Sequence, residues 1–384
     1  MSLPVQQALS VKTGTSQTRD PHRAAEEFFQ AVSQPGIKLV QFYCSTEYDL
    51  PELANAMRAQ FGDIPVVGCT TAGEITPVGY LDGALTGFSL AGDDVAVVSQ
   101  LFPVDPFDSA IAASQVSSLL DTLGDNHERP PSATDSFGFL LVDGLSMQEE
   151  SVVSCIHQHL RGIDLIGGSA GDATRFQSTH LYFAGEFHTG AAVLTIVRTD
   201  LPFVAFRTQH FVPSANRMVV TGADPARRTV HEINGKPALA EYARIIGLAP
   251  DALTQLVFAT YPVMVRIGGQ NFVRSIGRIN DDGSLQFFCA IDEGIVLTIA
   301  SGVDFVENLE QAFDRVHDLI GPPQLVLGCD CLFRRLEMDR DGIRDRVSEI
   351  LMKNNVIGFT TYGEQYNAMH VNQTFTGIAI GRPA

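Results

Sequence analysis

Gly68-Cys69-Thr70-Thr71-Ala72-Gly73-Glu74 is a threonine-rich segment bounded by glycines, and the chain contains two further versions of it. Gly358-Phe359-Thr360-Thr361-Tyr362-Gly363-Glu364 keeps the same spacing of glycine, threonine and glutamate, and Gly167-Gly168-Ser169-Ala170-Gly171-Asp172 is a shorter form. Each copy follows an apolar run and a helical stretch, and each precedes an apolar run announced by Thr-Gly. This self-similarity predicts three related units of strand, helix, strand, glycine turn and strand.

The Thr-Gly pairs offer an alignment of the three copies. In the first and third copies the glycine of Thr-Gly lies thirteen positions after the glutamate. In the middle copy it lies eighteen positions after Asp172, which is five more. Aligned in this way, His188 falls where the other copies have Leu85 and Phe375. A histidine that replaces a large apolar residue needs a partner, which is a backbone carbonyl, a metal or a haem iron.

The repeats predict a mixed α/β protein with two domains. Residues 1–220 form the first, with two repeats and a polar lead-in over 1–21, and residues 221–384 form the second, with a β-rich segment and the third repeat. We also predict that residues 85–90 and 95–101 pair with each other, and that 203–211 helps to close the second repeat.

The charge and the apolar pattern limit the class of partner. The 384 residues carry a formal net charge of −18 and no local basic run, so we expect no nucleic-acid partner. No apolar stretch is long enough to cross a bilayer and the N-terminus has no secretory pattern, which predicts a cytoplasmic protein without membrane insertion. Six scattered cysteines indicate reduced thiols.

The glycine turns are the first candidates for a binding site, because ligands of α/β proteins usually lie at strand ends. The turns lack the Lys-Ser/Thr of a P-loop and the spacing of a dinucleotide fingerprint. Tight turns needed for folding explain the same pattern, and this alternative stays open. The candidate ligand-binding residues are Cys69, Thr70, Thr71, Gly73, Glu74, Ser169, Asp172, Arg334, Arg335, Tyr362, Glu364, His370 and Asn372.

Several of these motifs together resemble the FIST family of signal-transduction sensors, and the resemblance covers nearly the whole chain. The motifs are Val67 to Ile75, Asp143-Gly144-Leu145-Ser146, Ile166 to Asp172, His231 to Ala238, Tyr362-Gly363-Glu364 and Asn372-Gln373-Thr374. The resemblance implies N- and C-terminal FIST domains that bind a small ligand in the cytoplasm. It also implies a separate partner such as a histidine kinase or a cyclic-di-GMP enzyme, and leaves a homodimer open.

One branch that the chain resembles senses nitric oxide through haem held by a histidine. This implies haem b, with His188 as the first candidate ligand of the iron. His231 is the second, because the family pattern usually has an aromatic residue there. No CxxCH motif is present, so the haem would be bound non-covalently.

The alternative function is an enzyme that acts on a small amino-acid-like metabolite. Glu74, Glu364, Cys69 or the Arg334-Arg335 pair would form its site, since a carboxylate beside a glycine turn can act as a general base. As a sensor the chain would bind a gaseous or an amino-acid-like ligand.

Overall fold

A computed structural model describes residues 9–125 and 129–383. Over these residues the chain forms three similar α/β units and one inserted β-sheet. The predicted mixed α/β fold is therefore confirmed. Each unit contains an edge strand, a helix, a first strand, one or two helices, a second strand, a short hairpin and a closing strand.

The first unit begins with the edge strand and ends before residue 92. Asp20 and Asp49 precede its two helices, and each carboxylate accepts a hydrogen bond from a backbone N–H of the first turn, at 2.8 and 3.0 Å. The elements are β1 (Ser10–Ser16), α1 (Pro21–Val32), β2 (Ile37–Cys44), α2 (Leu50–Phe61), β3 (Val66–Thr70), β4 (Glu74–Thr76), β5 (Gly79–Leu81) and β6 (Leu85–Ala91).

The second unit repeats this order with a longer turn before its hairpin. Its elements are β7 (Val95–Pro103), α3 (Ser109–Asp125), β8 (Ser136–Val142), α4 (Glu149–His159), β9 (Asp164–Ser169), β10 (Leu181–Phe183), β11 (Glu186–His188) and β12 (Ala191–Thr199).

The third unit is interrupted by the inserted sheet, which separates its edge strand from its first helix. The elements are β13 (Phe203–Thr208), β14 (Phe211–Asp224), β15 (Thr229–Ile233), β16 (Lys236–Pro237), α5 (Ala238–Ile246), α6 (Gln255–Thr260), β17 (Val263–Ile267), β18 (Gln270–Arg274), β19 (Ile276–Ile279), β20 (Leu285–Phe287), β21 (Val296–Gly302), α7 (Phe305–Ile320), β22 (Leu325–Cys331), α8 (Leu332–Asp341), α9 (Arg344–Lys353), β23 (Val356–Thr361), β24 (Glu364–Tyr366), β25 (Met369–Val371) and β26 (Phe375–Ile380).

The units exchange their hairpins in a cycle. The strand orders are β1-β6-β2-β3-β10-β11, β7-β12-β8-β9-β24-β25 and β13-β26-β22-β23-β4-β5. Across each sheet the order is therefore the edge strand, the closing strand, the first strand and the second strand of one unit. A hairpin from another unit then pairs with the second strand and completes the sheet. The second unit completes the first sheet, the third completes the second, and the first completes the third.

The three sheets pack around one shared core. Side chains from all three units meet there, including Tyr43 and Phe359, whose rings stack with centroids 4.7 Å apart. The opposite face of each sheet is covered by the helices of its own unit. The inserted sheet has a separate core with α5 and α6. The predicted domain boundary at residue 220 falls within β14 and stays a prediction.

The three glycine turns contact one another through their backbones. Ala72 N donates to Thr360 O at 2.9 Å, Ser169 N donates to Gly363 O at 2.8 Å, and Gly171 N donates to Thr70 O at 3.0 Å. These bonds form a closed circuit, because each turn is bonded to the other two. Buried backbone groups need such partners, so the repeated turn has a structural role at the centre of the fold.

Strand pairing corrects our alignment of the middle copy. Gly68, Gly167 and Gly358 are equivalent, since they pair with Tyr182, Gln365 and Ile75 of the incoming hairpins. By this register, the residue equivalent to Glu74 and Glu364 is Leu181, not Asp172. From Leu181 to Leu194, the equivalent of Gly87, the spacing is again thirteen residues.

The extra residues of the middle copy therefore lie in the turn itself. The turn spans six residues from Gly68 to Glu74, but fourteen from Gly167 to Leu181. His188 pairs with Leu181 in the hairpin and is not equivalent to Leu85, so the substitution that singled it out does not exist.

Two strand pairings were also predicted wrongly. β6 and β7 are adjacent in sequence but lie in different sheets, because β7 pairs with β12. β13 pairs with β26 of the third unit and does not close the second repeat.

Gly68, Gly167 and Gly358 are the strand glycines that pair with the incoming hairpins. We expect that their substitution destabilises the fold. A Cβ on Gly358 would lie 1.8 Å from the carbonyl oxygen of Gly328. Gly358→Ala should lower the free energy of unfolding in urea by about 3 kcal/mol or more. Gly302→Ala is the matched control, because a Cβ there has Phe211 at 3.8 Å as its contact. Equal urea midpoints for the two variants would show that the close approach is not required.

Candidate functional site

The glutamates of the first and third turns share two hydrogen bonds, and Glu364 accepts a further one from Thr374 Oγ1 at 2.7 Å. Thr71 Oγ1 donates to Glu74 Oε1 at 2.5 Å and Ala84 N donates to Glu74 Oε2 at 3.0 Å. Glu364 receives the matching bonds from Thr361 Oγ1 at 2.5 Å and Thr374 N at 3.1 Å. Each buried carboxyl therefore joins its turn to the start of its closing strand.

Both glutamates are removed from water, and this changes their acidity. Burial raises the pKa of Glu74 to about 7 and that of Glu364 to about 8, although the hydrogen bonds from threonine oppose the shift. Their carboxyl groups are fully buried and hydrogen-bonded within their own units. We therefore interpret them as structural groups of the repeat.

The second unit does not have this glutamate and uses Asp143 instead. Asp143 Oδ2 accepts from Gly190 N at 2.6 Å, and Oδ1 accepts from Thr179 Oγ1. Asp143 follows β8, so the bridging carboxylate comes from a different segment. This frees the longer turn from the conformation of the other two copies.

Asp172 organises the longer turn. Its carboxylate accepts hydrogen bonds from the backbone N–H groups of Phe176 at 2.7 Å, Gln177 at 2.8 Å and Ser178 at 3.0 Å, and from the hydroxyl of Tyr362. We call residues 172–179 the insertion loop. It contains two non-glycine residues with positive φ, Ala173 at 61° and Phe176 at 53°.

Three aromatic rings connect the insertion loop to the third turn and the inserted sheet. Phe176 stacks between Tyr362 and Phe288, with ring centroids 4.4 and 5.4 Å away and interplanar angles near 20°. We call these three rings the aromatic stack. They line a cleft of about 350 Å³ together with Met147 and Gly277.

Arginines surround this cleft. Arg175 and Arg278 are exposed, and Arg228 is buried. Arg228 Nη2 lies 2.5 Å from both Glu149 Oε2 and Glu150 Oε2, which links the inserted sheet to α4. The cleft thus combines apolar walls with cationic groups, a combination suited to a small molecule with an acidic group.

A second, much smaller space lies on the other side of the aromatic stack. It has a volume of about 10 Å³, and Ser275, Cys331 and Asn372 line it with the three rings. Within the described ranges 9–125 and 129–383, Ser275 Oγ, His370 Nε2 and Asn372 Nδ2 are buried without a hydrogen-bond partner. We call Arg274, Ser275, His370 and Asn372 the polar cluster.

The structure brings only some of the predicted site residues to this cleft. Tyr362, Asp172, His370 and Asn372 lie at it or directly behind it. The other candidates contact protein groups. Cys69 is in the shared core, Thr70 accepts a bond from His180 N, Ser169 accepts one from Gln365 and Gly73 packs against Arg335.

The adjacent arginines have separate structural partners. Arg334 is fully buried, with Nε 2.6 Å from Asp330 Oδ1 and its guanidinium 4.0 Å from the centre of the Phe305 ring. Arg335 Nη2 donates to both oxygens of Asp82 at 2.7 and 2.6 Å.

The surroundings of the two predicted haem ligands differ from a haem pocket, which encloses the iron between apolar faces. His188 is half-buried on β11, with Nε2 3.2 Å from the carbonyl oxygen of Phe183. His231 is exposed in a polar groove, with Nδ1 3.8 Å from Asp282 Oδ2. That groove is polar and contains both carboxylates and the arginines Arg227 and Arg278. Haem binding through either residue stays a prediction.

Sequence reasoning missed most of the residues that form the cleft and the polar cluster. Phe176, Arg228, Arg274, Ser275 and Phe288 lie outside the repeated motifs. The irregular length of the middle copy was visible in the sequence and marked the insertion loop, but we placed the extra residues after the turn.

Comparison with protein families agrees with this architecture. The description FIST N domain matches residues 38–236, and the description FIST C domain matches residues 238–367. The chain therefore belongs to the FIST family, whose domains are associated with sensing in signal transduction. A search of curated proteins gave no match.

Two further surveys of the described residues bear on cofactors and membranes. Over 9–125 and 129–383, we found no group of three or more His, Cys, Asp or Glu side chains arranged to hold a metal ion. Within that part of the chain, no helix combines the length and apolar character needed to span a bilayer.

We expect the two buried glutamates to make stability depend on pH. Their folded pKa values lie above the ordinary value of 4.5. Between pH 4.5 and about 8 the unfolded chain loses protons that the folded chain keeps, so the free energy of unfolding falls as pH rises. Glu364→Gln should flatten this slope by about 1 kcal/mol per pH unit.

Urea unfolding at intervals from pH 5 to 8 measures the effect. Glu293→Gln, a change at an exposed glutamate, is the control and should keep the wild-type slope. An unchanged slope in Glu364→Gln would mean that Glu364 is ionised in the folded protein.

Proposed function

We propose that this protein is a sensor of a small amino-acid-like ligand, which binds in the cleft between the insertion loop and the inserted sheet. The observation that carries the proposal is that this cleft is built from the parts of the chain that depart from the repeat. Phe176 lies in the insertion loop, Phe288 in the inserted sheet, and Tyr362 stands where the first copy has Ala72.

The cleft also connects elements that a ligand would hold together. It joins the second unit, the third turn and the inserted sheet through the aromatic stack and the ion pairs of Arg228. A ligand that binds one arrangement of these elements better than another shifts their equilibrium. A change at this junction would be read by a separate protein.

The family resemblance supports a histidine kinase or a cyclic-di-GMP enzyme as that partner, and the proposed site of action is the cytoplasm. The alternative of an enzyme would place chemistry at Glu74, Glu364, Cys69 or the Arg334-Arg335 pair, but all of these side chains are buried. Mass spectrometry of the bound compound after incubation distinguishes the two, because a sensor returns its ligand unchanged.

We expect direct binding of a carboxylate-containing compound to the cleft. The proteinogenic L-amino acids and benzoate should be tested by isothermal titration calorimetry. Arg278→Gln and Phe288→Ala should weaken binding by about tenfold or more, since each removes a charged or stacking contact. Arg266→Gln, at an exposed arginine on β17 of the same inserted sheet, should bind like the wild type. The sensor proposal is wrong if no compound of the panel binds at millimolar concentration.

Haem-based sensing of nitric oxide is a second candidate, and one observation favours it. His180 borders a groove of about 740 Å³ together with Tyr48 and Phe187, and burial lowers the pKa of its ring. Its Nδ1 is buried without a hydrogen-bond partner among the described residues. Haem iron would supply a site for a diatomic gas.

The Soret spectrum tests this candidate directly. We expect stoichiometric uptake of haem b by the wild type, and a shifted Soret band in His180→Ala, because a neutral imidazole nitrogen would be lost. His188→Ala and His231→Ala test the two ligands predicted from the sequence. A wild type that takes up no haem removes the candidate.

A further inference from the structure

We propose that the polar cluster behind the aromatic stack is an anion site that holds the carboxylate of the ligand. This inference rests on the proposed function, because it assigns the group by which the sensor recognises its ligand. It adds a defined chemistry at Arg274, Ser275, His370 and Asn372, which the wider cleft does not provide.

The orientation of Asn372 makes its free atom a donor. The backbone N–H of Ser275 donates to Asn372 Oδ1 at 3.4 Å, so the amide group is fixed with Nδ2 on the other side. Asn372 is fully buried, and Ser275 is 1 % exposed. The amide Nδ2 of Asn372 and the hydroxyl Oγ of Ser275 are thus buried groups that can donate hydrogen bonds to an acceptor.

His370 presents a third donor. Its Nδ1 lies 3.5 Å from Nε2 of Gln365, an amide nitrogen that carries hydrogens and also donates to Ser169. Nδ1 is therefore the acceptor, and the neutral ring carries its hydrogen on Nε2. Burial lowers the pKa of His370, which keeps the ring neutral.

Gly363 allows two of these donors to lie beside each other. A Cβ at Gly363 would lie 2.7 Å from His370 Nε2 and 3.2 Å from Asn372 Nδ2, so both nitrogens pack closely against the turn. Any other residue at this position would displace them. An oxygen of a bound carboxylate in the adjoining space, which Ser275 and Asn372 line, can accept from the free donors of these two residues.

Arg274 supplies the charge. It is 7 % exposed, and its Nη1 donates to the carbonyl oxygen of His370 at 3.2 Å. Among the residues that the structure describes, no carboxylate lies within 4.0 Å of its guanidinium. Glu149 and Glu150 act electrostatically on the neighbouring His370, but both are paired with Arg228. A buried cation without an ion-pair partner of its own is costly, so an anion bound here would stabilise the folded protein.

In the first turn, the Arg335 guanidinium lies at the position equivalent to these donors. Gly73 is equivalent to Gly363, and a Cβ there would lie 1.8 Å from Nη1 of Arg335. Asp82, the equivalent of Asn372, accepts both bonds from that guanidinium. At the first turn both charges are thus present, with the anion from Asp82 of the first unit and the cation from Arg335 of the third. The third turn has a neutral amide where the anion would be.

The aromatic stack separates this site from the cleft. The space behind it holds about 10 Å³, which is roughly the volume of one water, so a carboxylate enters only if a ring moves. Phe176 is the ring that can move with the least disruption, because it lies on the insertion loop and has an unfavourable φ of 53°. The apolar part of the ligand would then replace Phe176 between Tyr362 and Phe288.

The experiment compares benzoate with benzamide, its neutral analogue, by calorimetry on the full chain. We expect benzoate to bind and benzamide to bind at least about 30-fold more weakly, because only benzoate pairs with Arg274. Asn372→Asp keeps the shape of the side chain but places a carboxylate in the site, as in the first unit. It should abolish benzoate binding, and Ser275→Ala should weaken it about tenfold.

Asp82→Asn is the matched control, since it makes the converse change at the equivalent position and should leave benzoate affinity unaltered. Equal affinity for benzoate and benzamide, or wild-type affinity in Asn372→Asp, would overturn the anion site while the sensor proposal stands. Failure of every amino acid and of benzoate to bind the wild type would overturn both. Long-range ¹H–¹⁵N spectra provide an independent readout, and a hydrogen on Nδ1 of His370 would contradict the assigned donors.

Discussion

The fold depends on the pairing of each sheet with a hairpin that belongs to another unit. A β-strand edge exposes backbone donors and acceptors, so β3, β9 and β23 would each be unpaired on one side without the incoming hairpin. The backbone circuit among the three turns exists because the chain must cross from one sheet to the next at these points. Glycine recurs there since the backbones approach too closely for a side chain.

This arrangement explains why the repeated turns are poor candidates for chemistry and why their departures from symmetry are better ones. The Thr71 hydroxyl donates to the Glu74 carboxyl, and the Thr361 hydroxyl donates to that of Glu364. Each buried carboxyl therefore already has its hydrogen-bond partners within its own turn. The second unit replaces the glutamate with Leu181 and moves the bridging carboxylate to Asp143. That replacement releases eight further residues of the turn to form one wall of a cleft.

The sequence was sufficient for the repeat and its fold class, because the spacing of glycine, threonine and glutamate is local. It misplaced the middle copy since Thr189-Gly190 matches the pattern by chance, whereas register is decided by the pairing of Gly167 with Gln365. The hairpin exchange was beyond sequence reasoning, because a hairpin specifies its own pairing and not the sheet that receives it. Tyr362 and Asn372 were identified within a motif, but Arg274 and Ser275 became relevant only through contacts across the inserted sheet.

The cyclic exchange also has a consequence for biosynthesis. The hairpin β4–β5 of the first unit pairs with β23 of the third, so nearly the whole chain must leave the ribosome before its acceptor exists. The pairing of β10 with β3 can form earlier, but the pairing of β24 with β9 also needs the last strands of the chain. The nascent protein therefore carries an open sheet edge until translation is nearly complete, and this edge exposes it to aggregation. Pairing between strands that are far apart in sequence also gives the fold a high contact order. A fragment limited to the FIST N domain, residues 38–236, lacks β24, so one edge of β9 would stay unpaired.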